Sequence, residues 1–389
     1  MIAGKLLWAF GFNVTEDHVV YFRPQDLVLA QGAVAKDVFG DKHALGRAEL
    51  DRMLASVERE PDGRLRGLAS LWLSGAPLGG PPAEGVRDDD GNDRIPHQLR
   101  RDLRGAYAIF AWLEHVDLQE SNFLDVWIQD GGRHYVRHYL LDFGKALGVM
   151  NTTGLNPRHG REYVVDFVAM LRSLGSLGMA RRSWEGRAPS ALRGVGMFDA
   201  DGFDPGAWRQ NYPAYLPTLT ADRFDTFWAA KILIRFTRAQ LHAAVESGRL
   251  SDPRAVEYLT DTLVARQRAT ARYWFARVNP LDRFTAAADA SLCFDDLALV
   301  YQLGSSADAT RYRVTTYDVD GRPLGWTGST EPGRDGRACT APLELAVAFG
   351  GYTIVRVQTL RPDFAGETFV HIARDPASGA PRVIGIWRS

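Results

Sequence analysis

The segment His115-Val-Asp117-Leu-Gln-Glu-Ser-Asn122, followed by Asp142-Phe143-Gly144, holds the residue types best suited to chemistry in this chain. Phosphoryl transfer from ATP needs an acidic group that receives or orients the proton of the nucleophile. It also needs two oxygen ligands that hold magnesium on the phosphates. In that reading Asp117 is the base, and Asn122 and Asp142 are the ligands of Mg²⁺.

Side chains so spaced need elements that bring them together. Asp93 with Pro96 just inside predicts a helix start, and Leu99, Leu103, Ala106, Phe110 and Leu113 form one apolar stripe over residues 95–114. That helix runs into His115. Residues 123–129 and 134–141 read as two strands joined by Asp130-Gly131-Gly132, whose glycines tolerate positive φ. Such a hairpin returns Asp142 to the loop carrying Asp117 and Asn122.

Upstream, residues 2–10 read as a helix, 18–22 and 27–30 as strands split by Arg23-Pro24, and 47–59 as a helix with Leu50, Met53, Leu54 and Val57 on one face. A strand over 64–73 ends in the Gly/Pro stretch of residues 75–82, the expected hinge between lobes. Asp88, Asp90 and Asp93 read as a turn and helix cap rather than a calcium loop, because the ligand spacing and glutamate of such a loop are missing.

Residues 150–217 are loop-rich, and Arg181, Arg182, Arg187 and Arg193 read as solvated there. Helices over 221–236 (capped by Thr220), 238–247 (boxed by Thr237 and Gln240) and 251–278 follow. Trp228, Phe236, Trp274 and Phe275 are expected in a core. From about residue 281 the pattern changes to strands and tight turns, a small β-sandwich-like module.

Composition restricts the partners. With 389 residues, 46% hydrophobic and 24% charged, the chain can build two or three cored domains. A formal net charge of −1 gives no reason to expect nucleic acid or an anionic membrane. No apolar run reaches membrane-spanning length, and a cytoplasmic location is expected. Lysine is scarce beside arginine: positions 5, 36, 42, 145 and 231 are the five. Cys293 and Cys339 fit no zinc pattern and read as two small unlinked residues.

At Asp117, Asn122 and Asp142 the sequence resembles the protein kinase-like superfamily, which includes protein kinases, aminoglycoside phosphotransferases and atypical bacterial kinases. The resemblance implies an α+β fold with a kinase-like catalytic core: a partial N-lobe at 1–80, a helical C-lobe at 81–280 and the β-rich module at 281–389. It implies that His115 braces the loop, that Asp117 orients the acceptor hydroxyl, and that Asn122, Asp142, Phe143 and Gly144 bind the Mg²⁺ and ATP.

The sequence departs from the family in several places. Val116 replaces an arginine through which many protein kinases sense phosphorylation. Gln119 stands where protein-substrate kinases carry a phosphate-contacting lysine. No Ala-Pro-Glu follows residues 142–144, and the glycine-rich loop, strand lysine and helix glutamate have no visible place. Lys5 and Lys36 are the nearby lysines that could substitute, and both read as surface residues.

Two other readings compete. One is a pseudokinase or binding scaffold without catalytic activity, whose β module recognises a protein or ligand partner. The other gathers His115, Asp117 and His134 or His138 into a metal hydrolase site, but the i, i+4 ligand spacing of helical metal sites is missing. The acceptor substrate of a phosphotransferase stays open.

Overall fold

Phe110, Trp112 and Leu113 are among the most deeply buried side chains, and they mark the centre of the largest core. The computed structural model describes residues 1–37, 39–149, 157–163, 165–182, 184–211, 214–362 and 364–389. It is a mixed α+β protein. The helix behind the core is Arg101–Leu113, shorter than expected. Asp93 does not cap it: its carboxylate accepts from Arg87 N and pairs with the buried ring of His97, and a 3-10 turn at His97–Leu99 comes first. Leu99 is consequently exposed, whereas Ala106, Phe110 and Leu113 are buried.

Arg101–Leu113 packs against the helices Arg223–Leu233 and Pro253–Phe275, and Arg238–Ser247 packs on the last of these. Thr237 and Gln240 form their capping box as expected, but Asp222, not Thr220, caps Arg223–Leu233. Trp112 Nε1 donates to Leu263 O at 2.9 Å, so this large ring is buried with its polar atom satisfied.

A four-stranded sheet lies beside the helices, in the order Asn13–Val14, Arg133–Leu140, Phe123–Asp130, Ala76–Gly79. The expected hairpin is present, with Gly131 and Gly132 both at positive φ in its turn. The expected hinge at 75–82 is instead this sheet's edge strand, paired with Phe123–Asp130. Gly75 makes the approach possible: it has φ 109°, and a Cβ there would lie 2.4 Å from Trp127 O.

The first eighty residues are thinner. The opening helix Ile2–Phe10 buries Leu6, Leu7 and Phe10 in the main core. Asp17–Phe22 pairs with Leu65–Ser70 as a two-stranded sheet. Residues 27–30 are not a strand; a 3-10 turn at Pro24–Asp26 and a short hairpin, Val34–Lys36 with Lys42–Ala44, intervene. The helix Arg47–Ala55 buries no residue, so its expected apolar face meets solvent at Met53.

Within the loop-rich stretch, the helix Phe167–Gly175 was not expected; Asp166 caps it and most of its apolar residues are exposed. Beyond residue 280, a five-stranded sheet packs on a three-stranded one made of Leu281–Ala286, Leu292–Asp296 and Arg337–Cys339. Phe284, Leu292 and Phe294 meet Val314, Val355, Val357 and Val370 between them, a sandwich-like core. Cys293 and Cys339 lie opposite each other in register and form a disulfide, which corrects the expectation of unlinked cysteines.

Candidate functional site

The helix Arg101–Leu113 ends because Glu114 adopts a left-handed conformation at φ 49°. For a residue with a Cβ that conformation costs energy, and a buried network holds it there. Arg266, in the middle of the long helix, donates from Nε to Trp112 O (2.9 Å), from Nη2 to Ala111 O (2.7 Å), and from Nη1 to Glu114 Oε2 and Asp199 O (both 2.8 Å). One side chain therefore satisfies the Trp112 carbonyl, adds a second donor to that of Ala111, which also accepts from Glu114 N, and neutralises Glu114. Burial pushes the Arg266 guanidinium down to about 10, still far above neutrality.

Arg187 completes the network, donating to Asp199 Oδ2 at 2.8 Å and reaching Glu114 Oε1 at 3.4 Å. It is thus a structural residue, not the solvated loop arginine expected. Arg182 also pairs within the protein, with Glu162.

His115 follows directly. Its ring stacks on Phe110 at a centroid distance of 4.9 Å and meets Phe143 edge-on at 5.8 Å. Burial lowers its pKa from 6.5 to about 4, with Asp117 and Asp142 opposing, so the imidazole is neutral at physiological pH. Its Nδ1 is buried without a partner. Phe143 packs under the opening helix, where a Cβ on Gly4 would lie 3.4 Å from its ring. His115 and Phe143 therefore link the loop to the start of the chain.

Asn122 is buried at the end of the 3-10 turn Glu120–Asn122 and gives its amide hydrogens to Asp117, at 2.7 Å to the backbone O and 3.3 Å to Oδ2. Its Oδ1 is left as the atom free to accept or ligate. On the other strand, Leu141 N donates to Asn122 O at 2.8 Å, which brings Asp142 to the same end of the hairpin. Asp142 sits at φ 52°, and its Oδ1 accepts from Gly144 N at 3.2 Å, leaving Oδ2 free. An amide oxygen and a carboxylate are hard oxygen donors of the kind Mg²⁺ takes alongside phosphate oxygens and water, so the donor set fits that ion.

Sequence reasoning missed two residues here. Lys145 Nζ lies 2.9 Å from Asp117 Oδ2. His159 is close enough for Lys145, Glu114 and Asp117 to act on its charge, and its pKa is lowered, mainly by burial. Lysine scarcity was the available signal for Lys145, which lies downstream of the site loop rather than upstream with Lys5 and Lys36. Lys5 is instead exposed on the opening helix, beside a cavity of about 360 Å³ shared with Trp8 and Asp17, and Lys36 is exposed in its hairpin.

The metal hydrolase grouping does not form. His138 pairs with buried Asp125 at 2.6 Å, His134 lies beside Trp127, and among the described residues no cluster of three His, Cys, Asp or Glu side chains could hold a metal. Nor, among those residues, is any helix long and apolar enough to cross a membrane.

Taken together, fold and site define a mixed α+β protein with a carboxylate, an amide and a second carboxylate gathered at one end of a hairpin. No family model, curated protein or solved structure matches the chain.

Proposed function

We propose that residues 1–280 form a protein kinase-like core that transfers a phosphoryl group from Mg²⁺-ATP, with 1–80 as a partial N-lobe and 81–280 as the C-lobe. The observation that carries this reading is the convergence of Asp117, Asn122 and Asp142, with Asn122 bonded to Asp117 and adjacent in register to the Asp142 strand. Asp117 holds the acceptor hydroxyl and takes its proton. Asn122 Oδ1 and the Asp142 carboxylate hold the metal. His115 fixes the loop against Phe110 and Phe143 and moves no proton. When bound, Mg²⁺-ATP supplies the phosphoryl group and the positive charge that offsets its oxygens.

A second reading, a pseudokinase or binding scaffold, draws on a specific feature: the lysines of the first eighty residues are exposed, and none pairs with a residue of this site. The module at 281–389 would then be the main binding element. In either reading the location is cytoplasmic and the acceptor or partner is open.

Thermal melting with nucleotide separates the two. Mg²⁺-ATP is expected to raise the melting temperature, and Asp142→Ala to abolish that rise while leaving the nucleotide-free melting point close to that of the parent. A parent chain that shows no shift with ATP, with or without Mg²⁺, rules out the enzyme reading.

A further inference from the structure

We infer that Lys145 is the side chain that grips the terminal phosphate of the nucleotide, replacing the lysine that Gln119 does not provide. The inference rests on the phosphotransferase reading and deepens it, because it makes the site selective for a nucleoside triphosphate over a diphosphate.

The argument begins with charge. Asp117 and Asp142 both lie near enough to His115 to act on its charge, and a triphosphate brought there would meet two carboxylates. Magnesium on Asn122 and Asp142 offsets part of that repulsion, on the Asp142 side. On the Asp117 side the structure supplies an ammonium, Lys145 Nζ, 2.9 Å from Oδ2. The transferred phosphoryl must lie next to the base that holds the acceptor, so a cation in contact with that base borders the terminal phosphate and not the inner ones.

The backbone holds Lys145 in place for this. Asp142 at φ 52° turns the chain, Gly144 N caps the Asp142 carboxylate, and Ala146 N donates to Phe143 O at 3.2 Å. Leu147, itself at φ 57°, donates to Leu113 O at 2.8 Å, tying the turn to the helix that leads into His115. Lys145 is thus carried on a short turn pinned at both ends, not on a mobile loop. Its side chain keeps about a quarter of its surface exposed (25%) while that of Asp117 keeps 10%, so the ammonium contacts the Asp117 carboxylate and keeps part of its surface open to solvent.

The test is equilibrium binding of Mg²⁺-ATP and Mg²⁺-ADP to the full chain by titration calorimetry, for the parent, Lys145→Ala and Lys145→Arg. Lys145→Ala should weaken Mg²⁺-ATP by about tenfold or more, the scale of one charge-assisted hydrogen bond, and leave Mg²⁺-ADP unchanged. Lys145→Arg should restore most of the ATP affinity, because it returns a cation to the same place. Unfolding of either variant is checked by its melting point, and the arginine variant guards against a mere packing defect. Equal loss for both nucleotides, or no loss for either, overturns the assignment of Lys145 while leaving the phosphotransferase reading standing. Failure of the parent to bind either nucleotide overturns both together.

Discussion

The two sides of the candidate site are built differently. On the side of Asp117, the loop, the hairpin and the turn after Asp142 rest on a continuous core, and the polar groups beneath them are paired: Glu114 with Arg266 and Arg187, Asn122 with Asp117. On the other side, the opening helix Ile2–Phe10 enters the main core, but residues 17–72 offer a two-stranded sheet, a short hairpin and a helix with no buried residue, and they leave Leu68, Leu71 and Trp72 exposed. The contrast teaches that, apart from the opening helix over Phe143, the side chains proposed as base and metal ligands take their arrangement from the lower elements. Below, the end of the helix Arg101–Leu113 is fixed by Arg266 on Trp112 O and by Leu147 N on Leu113 O.

Replacing arginines on the two sides should break this comparison most visibly if it is wrong. Arg266→Met keeps much of the volume but removes the closest ion-pair partner of buried Glu114, and leaves Trp112 O without its side-chain donor. Removing one partner of a buried pair costs about 3–5 kcal/mol, so a loss of that size is expected in chemical denaturation. Arg47, exposed and bonded to Asp51 and to Leu27 O, is the counterpart above. Arg47→Met should change stability by no more than about 1 kcal/mol, as surface pairs do. Similar losses for the two would show that the lower network is no more cohesive than the surface.

Histidines sharpen the same contrast through pH. His115 is neutral in the folded protein down to about pH 4, whereas an unfolded histidine takes up a proton near 6.5. Between those values the unfolded state binds more protons, so the contribution of His115 makes stability fall as pH drops from about 6.5 to about 4, by on the order of 3 kcal/mol. His115→Phe keeps the ring and removes the titration. The stability of the variant relative to the parent should therefore rise across that window, measured by denaturant unfolding at several pH values. A difference that stays constant with pH would mean that His115 is not desolvated. His43, exposed in the upper half, has the opposite sign: its hydrogen bond to Glu49 raises its pKa, so that contribution is present at low pH and lost as pH rises.

Much of the lower half could be read in the sequence because its signals are local. The Gly131-Gly132 turn, the apolar stripe through Ala106, Phe110 and Leu113, and the Thr237–Gln240 capping box are each decided within a few residues. The same holds for the inward alternation of Val355 and Val357 in the β module. What escaped depends on which partner claims a side chain, near or far along the chain. Asp93 looks like a helix cap, but His97 and Arg87 claim its carboxylate. Arg187 looks solvated until Asp199 and Glu114 are folded against it. Cys293 and Cys339 are separated by 46 positions and meet only through strand register. Lys145 is far from Asp117 in sequence, and nothing short of the turn at Asp142 announces that it folds back.

The smallest effect is expected where the sequence pattern was clearest and the structure declined to use it. Leu50, Met53, Leu54 and Val57 line up as a core face, yet in Arg47–Ala55 Leu50 and Leu54 are only half-buried and Met53 is 55% exposed. Placing a charge there should cost little: Met53→Glu is expected to change stability by less than about 0.5 kcal/mol, as surface substitutions do. A residue that truly packed would lose about 2–5 kcal/mol on truncation of its side chain. Denaturation of Met53→Glu and Met53→Ala decides between these. A loss of 2 kcal/mol or more in either would mean that this helix is covered in solution, and the upper half would then need the same kind of support as the lower.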